Sequence, residues 1–238
     1  MTHTFLVMAH PDDAFVWCGG LILESLKLNE KVSIVSLSKA NNEIEKRVNK
    51  ISADNNIEYV SFRKGNSQEN KVCGRLIREA PDLIITHWTN DTHDNHRMSS
   101  HIAELAMKEY KLTSYENGRK PSFRVFQCDT YYSMGQDGSP FPGRIVVDIS
   151  DSFRKKLEIL RTIRDKYLSL IEPMVKAQDA FYGGKIGQKF AEAFMESSSL
   201  ASIGGGLGKM TARNIVGFSP KGLTERGSGS CQTSDNNE

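Results

Sequence analysis

An excess of either charge is missing from this 238-residue sequence: 31 Lys and Arg stand against 29 Asp and Glu, a formal net charge of +2. Without a basic stripe there is no electrostatic footprint for nucleic acid, and no such partner is expected. Cysteine is scarce as well. Cys18, Cys73, Cys128 and Cys231 lie far apart and form no C-x-x-C pair, which argues against a zinc ribbon and a dithiol redox motif. They read as reduced thiols of a cytoplasmic protein. No apolar run approaches the ~20 residues of a membrane span, so no membrane association is expected. The apolar stretch Phe5–Ala9 is too short for a signal peptide and has no basic flank. Nor is there an internal repeat. What is present is an ordinary soluble composition, 38% hydrophobic and 25% charged. A chain of this length buries roughly 70–75% of its extended surface. It suffices for one large α/β domain or two small ones, and small-molecule chemistry is the default.

Strand-length apolar runs alternate with helical stretches. Thr4–Ala9 suits a first strand, followed by a helix over 14–28. Lys31–Leu37 suits a second strand, and residues 42–55 place Ile44, Val48 and Ile51 at helical spacing. Ile57–Phe62 is a short third strand, 70–80 a helix that Pro81 stops, and Asp82–Thr86 a buried fourth strand. After a polar loop, Met98–Lys111 forms a helix with Ile102, Leu105 and Ala106 on one face, and 123–127 and 144–149 are later strands. Residues 151–171 read as one long amphipathic helix, with Phe153, Leu157, Leu160, Ile163 and Tyr167 spaced for one side. This alternation predicts an α/β fold: a Rossmann-like, doubly wound, mostly parallel sheet of order about 3-2-1-4-5, with helices on both faces. A single domain over residues 1–196 is expected. Beyond it, three consecutive glycines at 204–206 and later Gly/Ser and Asn-rich runs read as a weakly ordered tail over 197–238.

That topology makes strands 1 and 4 neighbours at the point where the winding reverses, and ligands bind at the carboxyl ends of strands there. The loop after strand 1 carries His10-Pro11-Asp12-Asp13, and the run after strand 4 reads H-W-T-N-D-T-H-D-N-H, residues 87–96. Three of the chain's six histidines therefore lie in one ten-residue run, and a fourth faces them. His10, Asp13 and His96 would make a two-histidine, one-carboxylate metal site, the donor number that catalytic zinc uses while leaving a position for water. Non-haem iron uses the same donors. Of the adjacent Asp12 and Asp13, one can ligate while the other accepts a proton, and the helix dipole favours their charged forms. The plainer alternative is that either one merely caps the helix beginning at Ala14.

At these residues the chain resembles the PIG-L/LmbE family of zinc-dependent N-deacetylases, which act mostly on N-acetylglucosamine derivatives. The family's A-H-P-D-D-E stands here as Ala9-His10-Pro11-Asp12-Asp13-Ala14, and its H-P-D-H as His93-Asp94-Asn95-His96. Further likeness lies in Asp148-Ile149-Ser150, in Lys156–Arg161 and in Y-G-G-K-I-G-Q-K-F-A-E-A-F at 182–194. That last stretch looks most like the branch that deacetylates glucosaminyl malate on the way to bacillithiol. The resemblance implies zinc on His10, Asp13 and His96, with Fe2+ or another divalent metal also suited to those donors. It implies Asp12 as general base and His93 as the group that faces the oxyanion and assists the leaving amine. The implied reaction is metal-assisted hydrolysis of the acetamide of a small amino-sugar conjugate by a homo-oligomer, a trimer or hexamer.

In the family, the segments after strands 2 and 3 recognise sugar hydroxyls or phosphate. Arg47 and the loop Arg63–Asn66 occupy those places, and Asn95 joins Arg47 and Asn66 as a candidate substrate contact. A solvated arginine on a charged helix is an equal reading of Arg47. Two departures stand out: Ala14 where the family has Glu, and Asn95 where it has Asp. An amide cannot stabilise a neighbouring imidazolium by charge. A lowered His93 pKa is therefore expected, with an activity optimum at lower pH or reduced activity. The alternatives are an amidase for another small amide or thiol conjugate, or a member that binds sugar without turnover. His87 reads as structural, Tyr131, Tyr132 and 135–143 as a lid or a plain loop, and the 183–187 glycines lack the strand context of a dinucleotide fingerprint.

Overall fold

A fully buried strand, β1 (His3–Met8), runs through the middle of the sheet and sets the frame for everything around it. The protein is seen here as a computed structural model that describes residues 2–39, 42–63, 65, 67–163 and 168–197. Along the chain follow α1 (Asp13–Lys27), β2 (Lys31–Ser36), α2 (Asn42–Asp54), β3 (Glu58–Ser61), α3 (Gln68–Glu79), β4 (Leu83–Thr86), α4 (Asp94–Glu116), β5 (Arg124–Cys128), β6 (Ile145–Asp148), α5 (Phe153–Ile163), α6 (Leu168–Lys185) and β7 (Ala191–Glu196). The strands hydrogen-bond in the order β3-β2-β1-β4-β5-β7-β6. The first five are parallel, and β7 runs antiparallel between β5 and β6. The α/β architecture and the 3-2-1-4-5 order follow the sequence expectation. The tail expected beyond Glu196 lies, after Ser197, outside the described residues.

Alternation along the strands divides the core in two. Leu6 and Met8 of β1 join Ile34, Ile85 and Phe126 under α1, α2, α5 and α6. Phe5 and Val7 join Val35, Ile84 and Val125 under α3 and α4. Each such side chain contributes roughly 1.5–3 kcal/mol by leaving water, which is why strands 1 and 4 read as continuous apolar runs. Their register pairs Thr4 with Leu83 and Val7 with Thr86, so both strands end at one level and their following loops meet.

Three elements differ from expectation. Helix α4 begins at Asp94, four residues before the expected Met98, because His93 occupies the N-cap and its ring Nδ1 accepts the main-chain N–H of Asn95. Histidine is not among the usual capping residues. His96 consequently sits on the first turn of a helix rather than in a loop. The single helix expected over 151–171 is instead α5 and α6, with 164–167, including Tyr167, outside the described residues. Strand β7 was not expected at all. Its pattern is broken by Glu192, a buried carboxylate that accepts the main-chain N–H groups of Gly20 and Leu21 and pairs with the equally buried Lys156 at 2.9 Å. The glycines before it end α6. A Cβ on Gly183 would lie 2.6 Å from the main-chain nitrogen of Phe190, and Gly187 turns the chain at φ +71.

Candidate active site

His10 follows β1 by two residues, Asp12 and Asp13 open α1, and His93 and His96 open α4. All five arrive at the shared carboxyl end of β1 and β4. Pro11 and the turn at Asp13 fold the segment back on itself: the Asp13 carboxylate accepts the main-chain N–H of His10 at 2.7 Å and faces its Nδ1 at 3.0 Å. His96 Nε2 lies 3.4 Å and His87 Nε2 3.2 Å from the same Asp13 oxygen. The rings of His10, His93 and His96 gather with centroids 4.7–5.4 Å apart. Asp12 is buried and occupies the N-cap position of α1, yet its side chain makes no capping hydrogen bond; its carbonyl alone receives the first helical N–H groups. The capping alternative therefore does not account for its carboxylate.

Asp91, which the sequence did not single out, organises the second half of the site. It is completely buried, accepts the main-chain N–H of His93 at 2.7 Å and takes the Nδ1–H of His96 at 2.9 Å. That contact occupies His96 Nδ1 and leaves Nε2 turned toward Asp13. His87 differs. Its Nε2 accepts the Ala9 N–H at 3.0 Å, so the lone pair nearest Asp13 is already used. It stacks on His96 at 3.8 Å as a structural ring. Asn95 reaches the site: its side-chain amide lies 3.3 Å from His10 Nε2, and its main-chain N–H goes to His93 Nδ1. Arg47 is turned to the end of α5, where it donates to the Thr162 carbonyl at 3.5 Å. Asn66 is outside the described residues, and His101 is exposed on α4. Tyr131 closes one side of the site, stacked over His96 at 5.7 Å and edge-on to Trp17 at 5.0 Å. The segment after it is tied down by an Asp91–Gly135 bridge and a Gln136 N–H to the Asn90 carbonyl.

The electrostatics follow from this crowding. Burial alone would raise the Asp13 carboxyl, but the charge of His96 and then the hydrogen bond from His10 hold it well below the usual carboxylate range. Burial likewise opposes a charged His96, and the Asp13 and Asp91 carboxylates overcome it, lifting its pKa to about 10. His87 is lowered to about 4 by burial and then by His96. His93 is also lowered, by burial first and then by the positive charges of His96 and His10. The expected direction for His93 holds, but these causes precede anything Asn95 does.

Two donor sets have metal-ligand proximity among the described residues: His10, Asp13 and His96, and His87, Asp91 and His96. In the second, Asp91 and His96 are already hydrogen-bonded to each other and the His87 Nε2 lone pair is taken. In the first, His96 Nε2 is a buried nitrogen with no hydrogen-bond partner. A buried polar atom without a partner is costly, and a cation between two imidazoles and a carboxylate would supply one. The first set fits a divalent metal.

No family model matches the chain. Solved structures share its fold. N,N'-diacetylchitobiose deacetylase from Pyrococcus horikoshii is 18% identical and superposes with a TM-score of 0.66 over 82% of this chain and 84% of its own. The conserved protein TT1542 from Thermus thermophilus is 20% identical, with a TM-score of 0.69 over 86% and 98% of the two chains. GalB, the 4-carboxy-2-hydroxymuconate hydratase from Pseudomonas putida, is 14% identical, with a TM-score of 0.70 over 87% and 100%. At these identities the likeness is one of fold. It agrees with the family resemblance seen in the sequence, and it shows that this architecture serves more than one reaction.

Proposed function

We propose that the chain is a divalent-metal-dependent N-deacetylase of the PIG-L/LmbE kind, acting on the acetamide of a small N-acetylglucosamine-type conjugate. Zinc is the favoured metal. The carrying observation is the meeting of His10 Nδ1 and His96 Nε2 on one Asp13 oxygen, at 3.0 and 3.4 Å, with His96 Nε2 otherwise unpartnered. Bound by these three residues, the cation would supply Lewis acidity to the amide and lower the pKa of water. Asp12, buried beside Asp13, takes the proton of the attacking water. His93 is kept neutral by its surroundings, and its Nδ1 is engaged by the Asn95 main chain, so its proton stays on Nε2. That Nε2–H faces the developing oxyanion, where one good donor is worth roughly 3–4 kcal/mol. Asp12 returns its proton to the leaving nitrogen, and acetate and a free amine separate.

This proposal includes a cytoplasmic location, supported by the free, buried thiols of Cys18, Cys73 and Cys128. It also includes a homo-oligomer, supported by the exposed Met98, Leu105 and Leu112, spaced seven apart along α4. A second reading, hydration of a small unsaturated acid, is favoured only by the fold shared with GalB. Acetate release from a panel of N-acetylglucosamine conjugates, run beside hydration of unsaturated carboxylates, separates the two. Asp12→Ala is expected to keep the metal and lose turnover, whereas His96→Ala loses the metal. The reverse pattern would contradict these roles.

A further inference from the structure

The two ring nitrogens of His10 have different neighbours. Nδ1 faces Asp13 at 3.0 Å, and the side-chain amide of Asn95 lies 3.3 Å from Nε2. Asn95 is the second residue of α4, and its main-chain N–H goes to His93 Nδ1 at 3.2 Å. One residue thus touches two rings of the site, the side chain serving His10 and the main chain serving His93.

A histidine that gives Nδ1 to a metal keeps its proton on Nε2, and the ring holds its direction when that N–H has an acceptor. An amide meets this need in both states. Its oxygen and nitrogen exchange places by a half-turn, so it can accept from a protonated Nε2 or donate to a bare one. A carboxylate can only accept. His96 is held by the other kind of support: its Nδ1–H goes to the Asp91 carboxylate. The two ligand imidazoles, His10 and His96, therefore lean on partners of different charge, one neutral and one anionic.

We propose that Asn95 is the positioning residue of His10, a neutral support that aims Nδ1 at the metal position with the metal bound or absent. This rests on the metal-dependent reading above. It gives the Asn95 side chain a role toward His10, where the sequence suggested the His93 ring or substrate. The main-chain contact to His93 is common to any residue at this position; the contact to His10 belongs to the asparagine. An anionic partner would make the bound imidazole a stronger donor, so Asn95→Asp should bind metal at least as tightly as wild type. Asn95→Leu keeps the size and removes the support, and loss of such a partner typically lowers metal affinity about 10–100-fold.

The test is zinc affinity by chelator competition on full-length wild type, Asn95→Asp, Asn95→Leu and Asn95→Ala, with the melting temperature of each metal-free protein as the control for folding. The expected result is about tenfold or greater weakening in Asn95→Leu and Asn95→Ala at unchanged metal-free melting temperature, with Asn95→Asp at or above wild-type affinity. Wild-type affinity in both apolar variants would overturn the proposal, and so would equal weakening in Asn95→Asp, which would indicate packing alone. A wild-type protein that binds no zinc would overturn the metal reading and this one together. The expected affinity pattern without hydrolysis of any amide would sink the deacetylase reading and leave the role of Asn95 standing.

Discussion

At the scale of single residues, the site is a set of histidines each told apart by its hydrogen bonds. His96 offers Nε2 because Asp91 holds Nδ1; His87 does not, because Ala9 occupies its Nε2. His93 donates from Nε2 because the α4 main chain occupies Nδ1. It follows that Asp91→Asn should lower zinc affinity about 10–100-fold while leaving all three ligands in place. Equilibrium dialysis against a zinc buffer checks this, and an unchanged affinity would remove Asp91 from the account. That His10, Asp12, Asp13, His93 and His96 come together was legible in the sequence because these residue types cluster at two loops that the topology joins. Asp91 lies in the same run but was not singled out, since its importance depends on how one turn folds. For Arg47 the place after β2 was legible but the contact with the Thr162 carbonyl at the end of α5 was not, because that depends on how α2 and α5 pack.

At the scale of elements, what holds α1 in place is a buried ionic cluster behind the site. Lys156 of α5 lies 2.6 Å from Asp179 of α6 and 2.9 Å from Glu192 of β7, and Glu192 grips the main chain of α1. Breaking a buried pair strands its partners, so Lys156→Met should cost about 3–5 kcal/mol, read by urea denaturation. A loss below about 1 kcal/mol would mean that the charges are solvated rather than paired.

Asp129, at the end of β5, gives the fold a pH dependence. Burial raises its carboxyl to about 6, against hydrogen bonds from Ser133, Thr130 and Gln178. A carboxyl raised in the folded state contributes stability that is complete below its unfolded pKa, near 4, and is lost as pH rises through about 6. The melting temperature should therefore fall between pH 4 and 6 by an amount that Asp129→Asn reduces; identical slopes in the two proteins would contradict this. These features were hidden in the sequence for one reason. Glu192, Lys156, Asp179 and Asp129 look like surface residues until partners as far as 172 positions away in the sequence are seen beside them. The same buried glutamate concealed β7.

At the scale of the whole molecule, the parallel half of the sheet was legible because strands buried on both faces are short continuous apolar runs. From their order the switch point followed, and from the switch point the meeting of the two loops. The antiparallel edge did not follow, because β7 enters between β5 and β6 out of chain order. Fold alone does not select the chemistry, as the hydratase and the deacetylase that share it show. The site must decide. The most direct test is acetate release by metal-loaded wild type and Asp12→Ala on N-acetylglucosamine conjugates, with the metal content of each protein measured alongside. The account predicts bound divalent metal in both proteins, equal amounts of acetate and free amine from the wild type, and no turnover by the variant. Fully loaded wild-type protein that releases no acetate from any conjugate, or an Asp12→Ala variant as active as wild type, would contradict it.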